Sequence, residues 1–94
     1  MLIQTLGQRI KIRQIRSGDY EASVYGIPAT IQGTGPTPTA AMAKLVERLQ
    51  DATTCKRVGN VRHYQSIYDA ARVAYLHLRG KSTSHPVSVE EVAR

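Results

Sequence analysis

Residues 9–25, which read RIKIRQIRSGDYEASVY, decide the fold of this chain. Hydrophobic and polar residues alternate with a period of two over the first five positions, as in a strand with one buried face. Ile10 and Ile12 fall on one side of that strand. The other side carries the cations Arg9, Lys11 and Arg13. The pattern therefore predicts a half-buried strand whose outer face is basic.

A turn and a second alternating run follow this strand. Ser17-Gly18-Asp19 supplies residues that favour turns. Residues 20–25 alternate again, with Tyr20, Ala22 and Val24 on one face. Two alternating runs around a short turn predict an antiparallel hairpin.

A short third strand and a helix are predicted next. Gly26-Ile27-Pro28 interrupts the second strand, residues 29–32 form the predicted third strand, and residues 33–36 form a turn. Thr37 is suited to cap the helix and Pro38 to open it. The apolar stripe of this helix consists of Met42, Leu45, Val46 and Leu49. We expect an amphipathic helix, lying on the sheet, that ends near residue 50.

In the second half of the chain, helices are the only regular elements that the sequence predicts. Residues 51–60 are polar and are interpreted as a linker, and a second helix is predicted over residues 61–80, with Gly80 at its C-cap. Residues 87–94 are predicted as a short terminal helix. Its start would be marked by a capping box of Ser88 with Glu91 and a hydrophobic staple of Val87 with Val92.

The predicted fold class is therefore α+β. A three-stranded antiparallel sheet carries one packed helix, followed by a second long helix and a short C-terminal helical stub. The 94 residues are interpreted as a single domain, with a β-β-β-α core over residues 1–50.

The composition indicates a basic domain. Thirteen Lys and Arg face seven Asp and Glu, which gives a formal charge of +6. Such a balance favours anionic partners, namely nucleic acid, a ribonucleoprotein or an acidic protein surface, although it also serves solubility alone. The single cysteine, Cys55, excludes an internal disulfide and a multi-cysteine zinc site. We expect a cytoplasmic protein with no membrane segment.

Candidate catalytic groups do not converge in the sequence. His63 and His77 would lie about 21 Å apart along one helix, so they cannot share a metal within one chain. His85 lies in a predicted loop, and Cys55 has no evident base beside it. We therefore expect no enzymatic activity, no cofactor and no bound metal.

Two clusters of basic residues carry the functional prediction. The first strand and the turn after it hold Arg9, Lys11, Arg13 and Arg16. The second cluster consists of Lys56, Arg57, Arg62, Arg72, Arg79 and Lys81, with Asp69 as its one acid. Cations that alternate along a strand stand about 6.6 Å apart, near the spacing of phosphates along a nucleic-acid strand.

Tyrosines on the second predicted helix extend this interpretation. Tyr64 and Tyr68, with Tyr75 further along, offer rings on which bases stack. The alternative is that these tyrosines cover the core and that the cations of the strand are simply solvated. Both alternatives stay open at the level of sequence.

Three short motifs occur within residues 10–49: Ser17-Gly18-Asp19-Tyr20-Glu21-Ala22, Ile27-Pro28, and Gln32-Gly33-Thr34-Gly35-Pro36-Thr37-Pro38-Thr39-Ala40-Ala41. In these motifs the first half of the chain resembles the HicB-like antitoxin domain. That family typically reads Asp-Gly-Tyr-x-Ala, then Leu-Pro-Gly, then Gly-x-Thr-x-Glu-Glu-Ala before an amphipathic helix. Thr39 replaces the usual acid. The resemblance implies a β-β-β-α fold similar to double-stranded-RNA-binding domains.

Two functions follow as predictions. The first is a non-enzymatic binder of nucleic acid, RNA rather than DNA, or of a ribonucleoprotein. By analogy with small phage and plasmid proteins, this first prediction extends to an inhibitor of a host defence complex, such as an anti-CRISPR protein. The second is an antitoxin-like protein–protein module that masks a small basic ribonuclease. The sequence is compatible with a homodimer and does not require one.

Overall fold

A computed structural model describes residues 1–27, 31–54, 61–80 and 84–90. Within these ranges the chain forms five strands and two helices. In chain order they are β1 (Leu2–Thr5), β2 (Gln8–Gln14), β3 (Tyr20–Val24), β4 (Gly33–Gly35), α1 (Pro38–Thr54), α2 (Val61–Leu78) and β5 (Val87–Glu90). The strands form one antiparallel sheet in the order β4-β3-β2-β1-β5. The predicted three-stranded sheet is therefore wrong, because two further strands extend it.

The predicted hairpin is confirmed at the centre of this sheet. Ile10 pairs with Val24 and Ile12 with Ala22, so all four side chains enter the core. The turn is closed by the Ile15 N–H, which donates to the Asp19 carbonyl at 2.8 Å. Because a shift of one residue would move every apolar side chain to solvent, the alternating pattern sets this register.

The predicted terminal helix is wrong for residues 87–90, which form β5. Val87 pairs with Thr5 and Val89 with Ile3, along the outer side of β1. A helix of so few residues is marginal in water, whereas β-branched valines in a Val-Ser-Val-Glu alternation suit a strand that finds a partner. Glu91 and Val92, on which the predicted capping motifs also depended, lie outside the described residues.

The third strand begins later than predicted. Ile31 and Gln32 precede it, residues 28–30 lie outside the described residues, and β4 is formed by Gly33–Gly35, which the sequence suggested as a turn. The two glycines explain the difference, because α1 crosses so close to β4 that a side chain at Gly33 would collide with the helix backbone.

The helices begin as predicted, and the first one is longer than expected. The Ala40 N–H donates to Thr37 Oγ1 at 3.1 Å, which confirms the cap of α1. The helix continues to Thr54 because Ala52 extends the buried stripe by one more turn, so residues 51–54 are helix rather than linker. Residues 55–60 lie outside the described residues. The C-cap of α2 is confirmed, since Gly80 has a φ of +79° and its N–H donates to the His77 carbonyl at 3.0 Å.

Both helices pack on the same face of the sheet. The core between the two layers is built from isoleucine, leucine, valine, alanine and methionine side chains, with tyrosines at its margin. Its largest fully buried members are Ile3, Ile10, Met42, Leu45, Leu49 and Ile67. Neither α1 nor α2, the helices in the described ranges, is long and apolar enough to cross a membrane.

The turn between β1 and β2 contains a strained residue. Leu6 has a φ of +49° and Gly7 a φ of +77°, so both turn residues are left-handed, a geometry that favours Asn-Gly. We expect Leu6→Asn to raise the free energy of unfolding by about 1 kcal/mol, because leucine is disfavoured in this conformation by about that amount. Chemical denaturation measures the change. Leu6→Ala is the control: it removes the same exposed side chain but keeps the strain, so it should bring no gain. A Leu6→Asn variant less stable than the native chain would contradict the inference that Leu6 is strained.

Candidate nucleic-acid interface

The face of the sheet opposite the helices is the candidate site. It is called the open face below, since no helix of the described residues packs on it. Strand register assigns to it Leu2, Gln4, Arg9, Lys11, Arg13, Glu21, Ser23, Tyr25, Thr34, Ser88 and Glu90. The alternation that buries Ile10 and Ile12 necessarily turns the cations of β2 outward, and all three are exposed.

Arg9 lies in a row of side chains that crosses four neighbouring strand positions. Gln4 pairs with Arg9 and also with Ser88, while the Tyr25 N–H donates to the Arg9 carbonyl at 3.1 Å. These four residues are called the Arg9 row: Ser88, Gln4, Arg9 and Tyr25. The Arg9 guanidinium carbon lies 5.7 Å from the centroid of the Tyr25 ring, within the range of a cation–π contact. Gln4, Arg9 and Ser88 also line an open depression at this end of the face.

Lys11 presents a second cation next to the Arg9 row. Its cross-strand neighbours are Leu2 and Ser23, which carry no charge. The acids nearest to it in the sheet are Glu21, its diagonal neighbour on β3, and Glu90, which pairs with Leu2 on β5 and stands two strands away. Glu21 is paired with Arg13, neither of these two carboxylates forms an ion pair with Lys11, and the Lys11 side chain is exposed. The Lys11 ammonium therefore extends into solvent.

Arg13 contributes less positive potential than the sequence suggested. Its Nε lies 3.1 Å from Glu21 Oε1, and Glu21 is the residue directly opposite on β3. The arginine side chain is 60% exposed, so the pair adds little to stability, but the carboxylate offsets the charge that a ligand would meet. Arg16 is exposed in the hairpin turn beside Asp19. The cationic part of the open face is therefore centred on Arg9 and Lys11.

The described residues of the second basic cluster belong to the helical layer. Arg62 and Arg72 are exposed on α2, and Arg79 is exposed in the turn that follows it. The structure therefore does not join these three residues with the cations of β2 into one surface. Lys56, Arg57 and Lys81 lie outside the described residues.

The tyrosines of α2 are occupied by contacts within the protein. Tyr64, Tyr68 and Tyr75 are half-buried and pack against the core. Arg72 lies over the Tyr68 ring at 5.8 Å, and Arg79 lies over the Tyr75 ring at 5.6 Å. Arg79 Nη1 also donates to the Tyr75 hydroxyl at 3.2 Å. These contacts favour the alternative in which the tyrosines cover the core.

Tyr25 is a site residue that the sequence interpretation missed. It has the parity of Glu21 and Ser23, opposite to Tyr20, and it follows the last residue of β3. Tyr25 is 55% exposed, whereas the four other tyrosines are half-buried. The signal was present, since a tyrosine on the polar side of an alternating strand must face solvent or a partner.

The site has the composition of a binding surface. Among the described residues, no group of three His, Cys, Asp or Glu side chains is placed to hold a metal ion. The open face instead offers the cations Arg9 and Lys11, the ring of Tyr25, the amide of Gln4 and the hydroxyl of Ser88 on one sheet. The class defined by fold and surface is thus a small α+β protein with a one-sided five-stranded sheet. Comparisons of the chain with protein-family models, curated proteins and solved structures found no match, so the HicB-like resemblance stays a prediction.

Proposed function

We propose that this protein is a non-enzymatic binding protein whose open face docks on RNA, either free or exposed in a ribonucleoprotein. The observation that carries the proposal is the position of Arg9 and Lys11, neighbouring cations on a sheet face that no helix of the described chain covers. Cations at such positions bind phosphates and release the counterions condensed on nucleic acid, which makes binding favourable and dependent on salt.

The shape of the face favours RNA without paired strands. The face of a five-stranded sheet is too wide to enter the deep, narrow major groove of an RNA helix, and sheets that bind RNA display unpaired bases across their surface. The Arg9 row supplies the groups that such binding needs, since Gln4 and Ser88 hydrogen-bond to base edges while Arg9 contacts a phosphate. An inhibitor of an RNA-guided defence complex is a narrower form of this proposal.

The antitoxin alternative receives less support from the charges. Masking a basic ribonuclease calls for a concentrated acidic surface. The acids of the described residues are instead distributed over the hairpin turn, the sheet and both helices: Asp19, Glu21, Glu47, Asp51, Asp69 and Glu90. Glu21 is paired with Arg13 and Glu47 with Lys44.

The salt dependence of binding tests the proposal. We expect the pure protein to bind a labelled single-stranded RNA with a log–log salt slope that Lys11→Gln makes shallower by about 1, because one phosphate contact is lost. Fluorescence anisotropy across a salt series measures the slope. Lys44→Gln on α1 removes the same charge from the opposite side of the molecule and should leave the slope unchanged. No binding by the native protein, or equal slopes for Lys11→Gln and the native chain, would contradict the assignment.

A further inference from the structure

We infer that Tyr25, braced by Arg9, is a base-stacking platform, so that the open face takes single-stranded RNA and discriminates against duplex RNA. The inference rests on the proposed function and names the substrate class of the same site. It depends on three features of the Arg9 row: the exposure of the ring, the contact that orients it, and its distance from the neighbouring cation.

The exposure of Tyr25 is unusual within this chain. A tyrosine ring is a large apolar surface, and Tyr25 is 55% exposed on an otherwise largely polar face. The other large hydrophobic residues exposed in the described part of the chain are Leu6, in the strained turn, and Val89, on the edge strand β5. Neither offers a flat π-face, so Tyr25 is the aromatic surface that the open face presents to a ligand.

The ring is also oriented before any ligand arrives. Arg9 stands directly across the strand pair from Tyr25, and its guanidinium lies over the ring at 5.7 Å. The backbone bond between the Tyr25 N–H and the Arg9 carbonyl holds both residues in sheet register. One side of the ring is thereby covered by a cation, and the ring requires little further ordering to accept a base on the other side.

The spacing of the cations fits a single strand beside this platform. Lys11 stands two residues along β2 from Arg9, a distance of about 6.8 Å between backbones. A strand whose phosphates approach Lys11 and Arg9 can therefore place one base over Tyr25 and an adjacent base edge near Gln4 and Ser88. Bases within a duplex are stacked and paired with each other, so they cannot reach the ring without unpairing.

Variants at Tyr25 test the inference with matched RNAs. We expect Tyr25→Ala to weaken binding of a single-stranded RNA by about tenfold, Tyr25→Phe to bind like the native protein, and a blunt duplex of the same sequence to be unaffected by either change. Anisotropy gives the affinities. A 2-aminopurine base in the single strand reports stacking independently, because its fluorescence should be quenched by the native protein and not by Tyr25→Ala.

The outcomes separate this inference from the proposed function. Equal affinities of the native protein and Tyr25→Ala for the single strand, together with weakened binding by Lys11→Gln, would overturn the stacking platform and leave RNA binding in place. Tighter binding of duplex than of single strand would also overturn the platform. Absence of RNA binding by the native chain would overturn both. Gln50→Ala, at an exposed position of α1 in the helical layer, is the control and should bind like the native protein.

Discussion

Replacing Gly33 with alanine is expected to lower the free energy of unfolding by about 3 kcal/mol, the upper end of the cost of overpacking a core. Gly33 is buried on β4, and an added Cβ would overlap the carbonyl oxygen of Ala41 and the backbone nitrogen of Leu45. Both atoms belong to the backbone of α1, so no side-chain rotation relieves the overlap. The helix must move away from β4, which opens the core at Leu45.

Urea denaturation followed by circular dichroism measures this loss. Thr34→Ala is the matched control, because residue 34 lies on the same strand and its exposed side chain points to the open face. A surface change of this kind should stay within about 0.5 kcal/mol of the native value. If Gly33→Ala were as stable as Thr34→Ala, the close packing of α1 on β4 would be wrong.

Reversing the charges of Arg9 and Lys11 together is expected to produce the largest loss of RNA binding. In the double variant Arg9→Glu with Lys11→Glu, two phosphate contacts disappear and two carboxylates repel the backbone of the ligand. We expect the affinity for single-stranded RNA to fall by about a hundredfold at low salt, and the difference to shrink as salt screens both effects. Both side chains are exposed, so the fold should persist in the variant.

The control for this experiment has the same change in net charge on the opposite surface. Lys44→Glu with Arg48→Glu alters two exposed cations of α1, in the helical layer. We expect the affinity of this variant for single-stranded RNA to fall by less than about fivefold, since only long-range attraction changes. Equal losses in the two double variants would mean that the open face has no special role, and an unchanged affinity of the Arg9 and Lys11 variant would exclude the face as the site.

The candidate site could be predicted from sequence in part. Alternation along β2 was sufficient to turn Arg9, Lys11 and Arg13 outward, because side-chain direction in a strand depends only on parity. It did not predict that Arg13 faces Glu21, since cross-strand partners depend on register. It also did not separate the cations of α2 from those of β2, because the side of the sheet on which a helix packs is a property of the whole chain.

The fold, too, has features that the sequence determined and features that depend on tertiary pairing. The sequence alone determined the hairpin around residues 17–19, the apolar stripe of α1 and the caps at Thr37 and Gly80, since each depends on residues close together in the chain. Only the tertiary structure decided that residues 87–90 form a strand, because β5 exists by pairing with β1, which lies more than eighty residues earlier. A run as short as this one takes the conformation in which a partner satisfies its backbone hydrogen bonds. The run itself does not encode which segment that partner is.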